Sequence, residues 1–394
     1  MNVSNNKILL SIVVPTKNRY DTLRVLVTSL LASSSFEFEL VIQDNSDDNS
    51  QFVQELLELD DCRVQYNHVA GWIPVTENCD LGITSAAGKY VCMLGDDDGI
   101  LIDSAVNFVR LMIINNWDAA VTNNLSYNWP NTEHAVWGKA FAGQLALKKY
   151  SYGTRLLDTE YELEKVLATG ACMTLGNLPC VYHGLVSAET LNKLKIEAGT
   201  YFPGPSPDMA NAIGLVKYIE NYVFADIPLI VSGHSGASTG GQGQRKEHHG
   251  SIEAQLHLPA DTSEKWSDRI PFFWSGATIY AESARRALDA TNMNSNKKIN
   301  YCFLYACCLI YEKSYFKETM KAINSNLSLI RKLTVYPKII FYYIQRSAIR
   351  IRQFAFNFVS KKFRYSDTHS ADDISVAIDL INTKYGLFDK NRII

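Results

Sequence analysis

The chain has 394 residues, of which 47% are hydrophobic and 20% are charged, and this composition excludes a disordered protein. The length allows a large domain with a smaller one, or two domains. The formal net charge of −3 hides an uneven distribution, because ten Lys and Arg residues and no acidic residue stand between Glu318 and Asp367. The sequence therefore predicts an acidic body with a basic C-terminal segment.

The eight cysteines show neither CxxC pairs nor the His and Cys spacing of a zinc site. We interpret them as reduced core residues of a cytosolic protein. The apolar run Ile8–Val14 is too short for a secretion signal and is followed directly by Pro15. No stretch approaches the roughly 20 apolar residues of a membrane-spanning helix. We therefore expect a protein that stays on the cytoplasmic side.

The first part of the chain alternates between short apolar runs and amphipathic segments. Ile8–Val14 is almost continuously apolar, which is typical of a parallel strand covered on both faces. Apolar residues at helical spacing follow between Leu23 and Leu31. Further strands are expected at 39–43, 64–66 and 90–94, and further helices at 51–59 and 77–87. This alternation predicts a doubly wound α/β sheet.

Polar clusters follow three of these predicted strands, at 16–19, 44–48 and 96–98. In doubly wound sheets, ligands bind beyond the carboxyl ends of the strands, so the three clusters are expected to share one pocket. An Asp after the second strand suits a ribose or base, and an Asp cluster after a later strand suits a metal and a diphosphate. A dinucleotide oxidoreductase is disfavoured, because no GxGxxG follows the first strand.

Asp96, Asp97 and Asp98 stand directly after the apolar run 90–94 and before Gly99. Three adjacent carboxylates repel one another, and burying them is costly unless a cation or hydrogen-bond donors neutralise them. Oxygen ligands suit Mg²⁺ or Mn²⁺, which bind substrate phosphates together with one or two protein carboxylates. The alternative is a solvated acidic turn. The matching clusters at the other strand ends favour the shared site.

Four motifs, in this order, resemble those of family 2 inverting glycosyltransferases with the GT-A fold: Ser11–Arg19, Val41–Ser46, Glu77–Asn78 with Ala87–Tyr90, and Leu94–Asp98. The resemblance covers about the first 110 residues. It implies a Rossmann-like α/β domain of the nucleotide-diphospho-sugar transferase type, followed here by a helical C-terminal extension.

The resemblance also implies a donor-binding set, which comprises Pro15, Thr16, Asn18, Arg19, Asp44, Asn78, Asp96 and Asp97. Within it, the residues after the first strand border the base, Asp44 contacts the base or ribose, and Asp96 and Asp97 approach the ribose and diphosphate. Asp98 is the expected ligand of Mn²⁺ or Mg²⁺. Many family members carry an acidic residue where Gly95 stands, so the division of roles among the three Asp residues stays open.

Asp208 is the candidate general base. Prolines at 203, 205 and 207 hold the chain extended before a helix that is expected to open at Asp208. The alternative is a helix N-cap, for which Asp is a favoured residue. Direct displacement at a sugar anomeric carbon needs a carboxylate to take the proton of the acceptor hydroxyl. Because the family carries an acidic residue in this downstream region, we favour the catalytic interpretation.

The segment Ser232–Gly243 is rich in glycine and hydroxyl groups and predicts a lid over the donor phosphates. The resemblance makes His234 a candidate ligand of the metal or diphosphate. The alternative is a flexible surface loop with an incidental histidine.

Four regions are expected: a GT-A catalytic domain at 1–255, a helical region at 256–335, a basic amphipathic helix at 336–366 and a tail at 367–394. Pro337 is expected to interrupt the helical pattern. Beyond it, Arg346 and Arg350 fall on one stripe of a helix and Ile344 and Ile351 on another, which predicts contact with an anionic membrane surface. The alternative is packing on the acidic body of the protein. Nucleic acid is not an expected partner, because the aromatic residues lie in the apolar stripe.

These features predict a metal-dependent inverting glycosyltransferase that acts peripherally at the inner face of the cell membrane. Its donor is expected to be a nucleotide-diphospho-sugar, and its acceptor a hydroxyl of a surface glycan or a lipid-linked glycan. Two alternatives stay open. A nucleotidyltransferase also uses clustered Asp residues, but would need a basic, glycine-rich signature near the first strand. A non-catalytic nucleotide- or glycan-binding subunit would use the same pocket without turnover.

Overall fold

The computed structural model describes residues 7–238, 241, 245, 249–325, 329–359 and 368–388. The strands are β1 (Leu10–Thr16), β2 (Phe38–Asp44), β3 (Val64–His68), β4 (Tyr90–Met93), β5 (Gly99–Ile100), β6 (Ala119–Thr122), β7 (Leu125–Asn128), β8 (Gln144–Ala146), β9 (Thr154–Leu157), β10 (Gly184–Ser187), β11 (Tyr222–Ala225), β12 (Ile230–His234), β13 (His249–Gly250), β14 (Trp274–Ser275) and β15 (Thr368–Ser370).

The α-helices are α1 (Tyr20–Leu31), α2 (Ser50–Leu59), α3 (Val75–Thr84), α4 (Ile102–Asn115), α5 (Thr159–Ala168), α6 (Ala188–Ala198), α7 (Pro207–Leu215), α8 (Gly276–Ala290), α9 (Tyr301–Tyr311), α10 (Phe316–Ser325), α11 (Leu329–Val359) and α12 (Ile374–Tyr385). Short 3₁₀ helices follow α7 at Val216–Tyr218 and α9 at Lys313–Tyr315.

The main sheet has eight strands in the order β3-β2-β1-β4-β10-β6-β11-β9. The first four are parallel, whereas β10 runs antiparallel to both of its neighbours. Along β1, Ile12 and Val14 face the core formed with α1 and α4, and Val13 faces the core formed with α3. The sheet is therefore covered on both faces, as the continuous apolarity of the first strand predicts. Mixed α/β architecture with helices after the domain confirms the expected fold class.

The C-terminal residues 368–388 pack into the first domain, although the sequence analysis treats them as a tail. Strand β15 pairs with β8 in a second sheet, whose order is β15-β8-β7-β12-β5. Ile374 of α12 packs so close to Gly99 that a Cβ at Gly99 would lie 2.8 Å from its side chain. Phe388 joins the main core and meets the ring of Phe108 edge-on. This segment thus supports the sheet directly behind the Asp triplet.

In the helical C-terminal region, which was expected at 256–335, the first α-helix begins only at Gly276, and α11 begins at Leu329. The predicted interruption at Pro337 is wrong, since Pro337 lies inside α11. A proline removes one backbone hydrogen bond and strains the preceding turn. Ile339 and Tyr342, which pack against α9 and α10, hold the helix together across that point.

Among the helices of the described ranges, none combines the length and the apolarity needed to cross a membrane. All eight cysteines lie in the described ranges, and none of them forms a disulfide.

Candidate active site

A cleft of 710 Å³ opens at the carboxyl ends of β1 and β4. One wall carries Arg19, which follows β1, and Asp97, which follows β4. His234, at the end of β12, lies in the same cleft. The same cleft is also lined by Asp208 of α7 and Tyr280 of α8. The cleft therefore gathers side chains from the strand ends and from the helical C-terminal region.

Arg19 forms ion pairs with two members of the Asp triplet. Its Nη2 lies 2.8 Å from Oδ1 of Asp96 and 3.0 Å from Oδ1 of Asp97. Burial lowers the pKa of Arg19, but these carboxylates outweigh burial and leave that pKa raised. Burial raises the pKa of Asp96 to about 7 even though Arg19 opposes the shift. The guanidinium of Arg19 therefore offsets part of the charge repulsion within the Asp triplet. That repulsion was the reason to expect a metal ion from the sequence.

Asp98 is fully buried and accepts hydrogen bonds from within the protein. Oδ1 accepts from the backbone N–H of Gly233 at 2.8 Å. Oδ2 accepts from the N–H of Gly95 at 2.7 Å and from the Tyr182 hydroxyl at 3.1 Å, and lies 2.6 Å from Nε2 of His183. Burial raises the pKa of Asp98, but His183 and the two N–H groups more than offset it and hold that pKa below its usual value. The carboxylate is therefore anionic, and it faces these donors rather than the cleft.

Asp97 is the member of the triplet that lines the cleft. Its Oδ2 accepts from the backbone N–H of Ser235 at 2.9 Å, and its Oδ1 faces Arg19. His234 lies in the same cleft, and burial lowers its pKa although Asp98 and Asp97 oppose the shift. A neutral imidazole is the form that ligates metals. Asp97 and His234 therefore form the donor set with the chemistry to hold a cation here.

The described residues contain no group of three or more His, Cys, Asp and Glu side chains arranged to hold a metal ion. Mg²⁺ commonly takes only one or two protein carboxylates and completes its shell with substrate phosphates and water. A carboxylate and an imidazole on one cleft wall fit that partial role. The metal roles of Asp98 and His234 stay predictions, and the surroundings of Asp97 fit a ligand better than those of Asp98.

Asp44 is not one of the residues that line the cleft. Its Oδ2 accepts from the hydroxyls of Tyr20 at 2.6 Å and Tyr66 at 2.7 Å, and its Oδ1 accepts from the N–H of Ser46 at 2.7 Å. Both oxygens are thus engaged by the protein itself. The base or ribose contact of Asp44 stays a prediction.

The other predicted donor residues divide between the cleft and its support. Pro15 lines the cleft. Thr16 donates to Oδ2 of Asp96 at 2.8 Å, and the Asn78 side chain donates to the backbone oxygen of Thr16 at 3.3 Å. Asn18 adopts a left-handed conformation with φ of 55°, and its backbone N–H donates a hydrogen bond to the hydroxyl oxygen of Ser46 at 2.7 Å. The two hydrogen bonds of Thr16 connect residues near the carboxyl ends of the strands. None of Thr16, Asn78 and Asp96 lines the cleft itself.

Asp208 is the second residue of α7, whose N-cap is Ser206. The N-cap interpretation of Asp208 is therefore wrong. Its Oδ2 accepts from the hydroxyl of Tyr280 at 2.5 Å. Its Oδ1 accepts from the N–H of Met209 at 2.8 Å and from the hydroxyl of Ser206. The negative charge of Asp208, together with burial, raises the pKa of Tyr280 well above its usual value, so the phenol keeps its proton.

Three side chains of this site were not predicted from the sequence: Tyr182, His183 and Tyr280. His183 is held at a φ of 59°, a strained conformation for a non-glycine residue, and its ring stacks on Tyr182 with centroids 3.9 Å apart. Tyr280 comes from a region that the sequence marks only as helical and aromatic. Contacts such as these join residues that are far apart in the sequence, and they form only in the folded protein.

The first half of the glycine-rich segment packs against the Asp triplet. A Cβ at Gly233 would lie 1.7 Å from the backbone oxygen of Asp97, so only glycine fits there. Ser235 accepts a hydrogen bond from Nη2 of Arg19 at 3.0 Å. The remainder of the predicted lid includes residues 239, 240, 242 and 243, which lie outside the described residues. The lid stays a prediction.

Residues 11–172 match the family model described as "Glycosyl transferase family 2". A Campylobacter jejuni protein named GalNAc(5)-diNAcBac-PP-undecaprenol beta-1,3-glucosyltransferase is 33% identical over 97 residues. That match covers 23% of this chain and 30% of the relative, so less than a third of the relative's length is represented here.

Two solved structures show a more distant likeness. TarS residues 1–349 of S. aureus, in complex with UDP-GlcNAc, is 14% identical with a TM-score of 0.47, over 85% of this chain and 89% of that one. GalNAc-T7 with UDP, GalNAc and Mn²⁺ is 12% identical with a TM-score of 0.46, over 86% of this chain and 59% of that one. Likenesses of this size say nothing about the ligands of the present chain.

Proposed function

We propose that this chain, whose residues 11–172 match the model of glycosyltransferase family 2, transfers a sugar from a nucleotide-diphosphate donor to a hydroxyl of a glycan, with inversion at the anomeric carbon. The observation that carries this proposal is that Asp97 and Asp208 line one and the same cleft. Both carboxylates, with Asp98, help to raise the pKa of the buried Tyr182, after burial itself, so Asp97 and Asp208 are close enough to act on one group. A donor held beside Asp97 and an acceptor beside Asp208 would meet within this cleft.

Asp208 is the proposed general base. Inversion by direct displacement requires an acceptor hydroxyl to attack the anomeric carbon from the side opposite the leaving diphosphate, while a carboxylate takes its proton. Asp208 lines the cleft that Asp97 also lines. The hydroxyl of Tyr280 and the N–H of Met209 fix the orientation of its carboxylate. We infer that Tyr280 is a positioning residue for this base.

The leaving diphosphate needs positive charge and hydrogen-bond donors. Arg19 lines the cleft beside Asp97 and brings a guanidinium close to where the phosphates would bind. We propose that Asp97 and His234 are the protein ligands of Mn²⁺ or Mg²⁺. The metal ion would supply further positive charge to the diphosphate. Asp98 has the alternative role of holding Gly95, Gly233 and His183 around that site.

We propose a lipid-linked glycan, or a surface glycan under assembly, as the acceptor. The curated relative from Campylobacter jejuni is named for a glycan on an undecaprenol diphosphate, which favours this acceptor class for the present chain. Action on such an acceptor would place the protein peripherally at the inner face of the cell membrane. The basic, acid-free stretch between Glu318 and Asp367 is consistent with that location.

A product assay tests the proposed activity. The purified chain is first screened against nucleotide sugars by thermal shift with Mn²⁺ present, and the stabilising donor is then incubated with a glycan acceptor. Release of nucleoside diphosphate that requires both acceptor and metal supports glycosyl transfer. Release of pyrophosphate in a parallel incubation with a nucleoside triphosphate and a sugar 1-phosphate would instead support a nucleotidyltransferase, and donor binding without turnover would support a non-catalytic subunit.

A further inference from the structure

Helix α11 has one face that packs on the protein. Ile339 is buried with Tyr305 and Ile323, and Tyr342 meets Phe303 of α9 edge-on at 5.3 Å between ring centroids. This face accounts for the packing of α11 on the helical region. It leaves the opposite face of the helix without protein cover among the described residues.

Arg346 and Arg350, which the sequence suggests as lipid-facing, point to this inner side. Nη2 of Arg346 lies 3.3 Å from the hydroxyl of Tyr311 and 3.8 Å from the sulfur of Met173. Nη1 of Arg350 lies 3.5 Å from the backbone oxygen of Ile310, and its guanidinium lies over the ring of Tyr311. These two arginines therefore attach α11 to the body of the protein, in line with the alternative interpretation of the basic helix.

The outer face of α11 is apolar and exposed. We define it by five residues that are each between 56% and 77% exposed: Leu333, Ile340, Phe341, Ile344 and Ile351. Their spacing of seven, one, three and seven residues returns them to the same side of an α-helix. A continuous apolar stripe of this kind is unfavourable in water and marks an interaction surface.

Charges beside the outer face are positive. Lys338 and Arg352 are both exposed and stand one turn or less from Phe341 and Ile351. No Asp or Glu stands in the sequence between Glu318 and Asp367, so no acidic residue of that stretch opposes an anionic partner. Exposed Lys and Arg beside bulky apolar side chains complement a bilayer surface that carries anionic headgroups.

We propose that the outer face of α11 inserts into the interfacial layer of a membrane that contains anionic phospholipids. Leu333, Ile340, Phe341, Ile344 and Ile351 would enter the acyl boundary, while Lys338 and Arg352 meet the headgroups. The contact of Arg346 with Met173, which lines the cleft, places α11 next to the cleft wall. A membrane bound in this way would bring a lipid-linked acceptor close to Asp208. The inference rests on the proposed lipid-linked acceptor. Binding of α11 to a membrane does not, however, require glycosyl transfer.

Vesicle sedimentation of the full chain, without donor or acceptor, tests the surface separately from the activity. The chain is expected to sediment with vesicles of phosphatidylglycerol and phosphatidylcholine, and much less with phosphatidylcholine alone. The double variant Phe341→Ser/Ile344→Ser should bind the mixed vesicles about tenfold or more weakly, because it removes two large apolar side chains from the contact. Ile196→Ser is the control, since Ile196 is even more exposed, at 85%, but belongs to α6 and not to α11.

Lys338→Gln/Arg352→Gln should weaken binding to the mixed vesicles and reduce its dependence on salt. Unchanged binding by the Phe341/Ile344 variant, or equal binding to neutral vesicles, would overturn the proposal. A concentration-dependent dimer that is lost in that variant, with no vesicle binding by either protein, would also overturn it and assign the face to a second copy of the chain. Failure of glycosyl transfer would leave the vesicle result unaffected.

Discussion

The hydroxyl of Tyr280 donates a hydrogen bond of 2.5 Å to the carboxylate of Asp208. Tyr280 belongs to α8, which lies beyond the residues that match the family, and Asp208 belongs to α7. The helical C-terminal region therefore contributes to the lining of the cleft, and does more than cover the α/β domain.

Tyr280→Phe should lower kcat by about tenfold or more, because the lost hydrogen bond to a charged group leaves the carboxylate free to rotate. The KM for the donor should stay unchanged, since the hydroxyl of Tyr280 is bonded to Asp208, the proposed base, and not to the Asp triplet. Steady-state kinetics checks both parameters. Tyr305→Phe is the control, because the Tyr305 hydroxyl also makes one hydrogen bond, to the backbone of Arg269, outside the cleft. Equal losses in the two variants would reduce Tyr280 to a structural role.

Asp97→Asn and Asp98→Asn should have different effects. Asp97→Asn is expected to remove the metal dependence of donor binding while leaving the fold stable, because Asp97 lines the cleft. Asp98→Asn is expected to lower the Tm, because it removes a buried anion that four internal groups surround. Calorimetric titration of the donor with and without Mn²⁺, together with thermal unfolding, checks both expectations. Lost metal dependence in Asp98→Asn alone, at normal Tm, would return the ligand role to Asp98.

Gly233→Ala should destabilise the site. The added Cβ would overlap the backbone oxygen of Asp97 at 1.7 Å, so β12 or the Asp triplet must shift. Overpacking of this kind costs about 1–3 kcal/mol or more. Urea unfolding measures the loss of stability, and donor titration measures the displacement of Asp97. Gly153→Ala is the matched control, since its Cβ would meet only the Ser151 hydroxyl at an ordinary 3.4 Å. Equal stabilities of the two variants would show that the turn at Gly233 adapts freely.

Ile374→Ala should destabilise the whole first domain, although Ile374 stands near the C-terminus. Its side chain is fully buried against Gly99, next to the Asp triplet. Removing a buried isoleucine side chain costs about 2–5 kcal/mol. Val376→Ala on the same helix is the control, because Val376 is exposed. Denaturant unfolding compares the two variants, and a loss in Ile374→Ala no larger than in Val376→Ala would mean that α12 is not part of the cooperative fold.

Local patterns along the chain predicted much of the α/β domain. Continuous apolarity at Ile8–Val14 and Tyr90–Leu94 predicted two central strands, and the family match confirms the resemblance that their polar ends suggested. The ends of helices and strands shifted by a few residues, since capping and pairing decide them. The hydrogen bond between Thr16 and Asp96 follows from the rule that the carboxyl ends of parallel strands lie at the same edge of a sheet.

Long-range contacts were not predictable from these patterns. The sequence gives no sign that Thr368–Ser370 pairs with β8, because that pairing joins residues more than 200 positions apart. It also cannot show that Arg346 and Arg350 turn toward α9, since a basic stripe on a helix looks the same whether it meets lipid, water or aromatic rings. Neutralisation of Asp96 and Asp97 by Arg19 is a contact of the same kind.

We propose that Asp208 accepts the proton of the attacking hydroxyl. Binding of the donor is not expected to depend on Asp208. Asp208→Asn should therefore bind the nucleotide sugar as tightly as the unaltered chain and transfer it about 10²–10⁴-fold more slowly. Glu189→Gln, which alters an exposed acid in the first turn of α6, should change neither quantity. Near-normal transfer by Asp208→Asn, at unchanged donor affinity, would contradict the account.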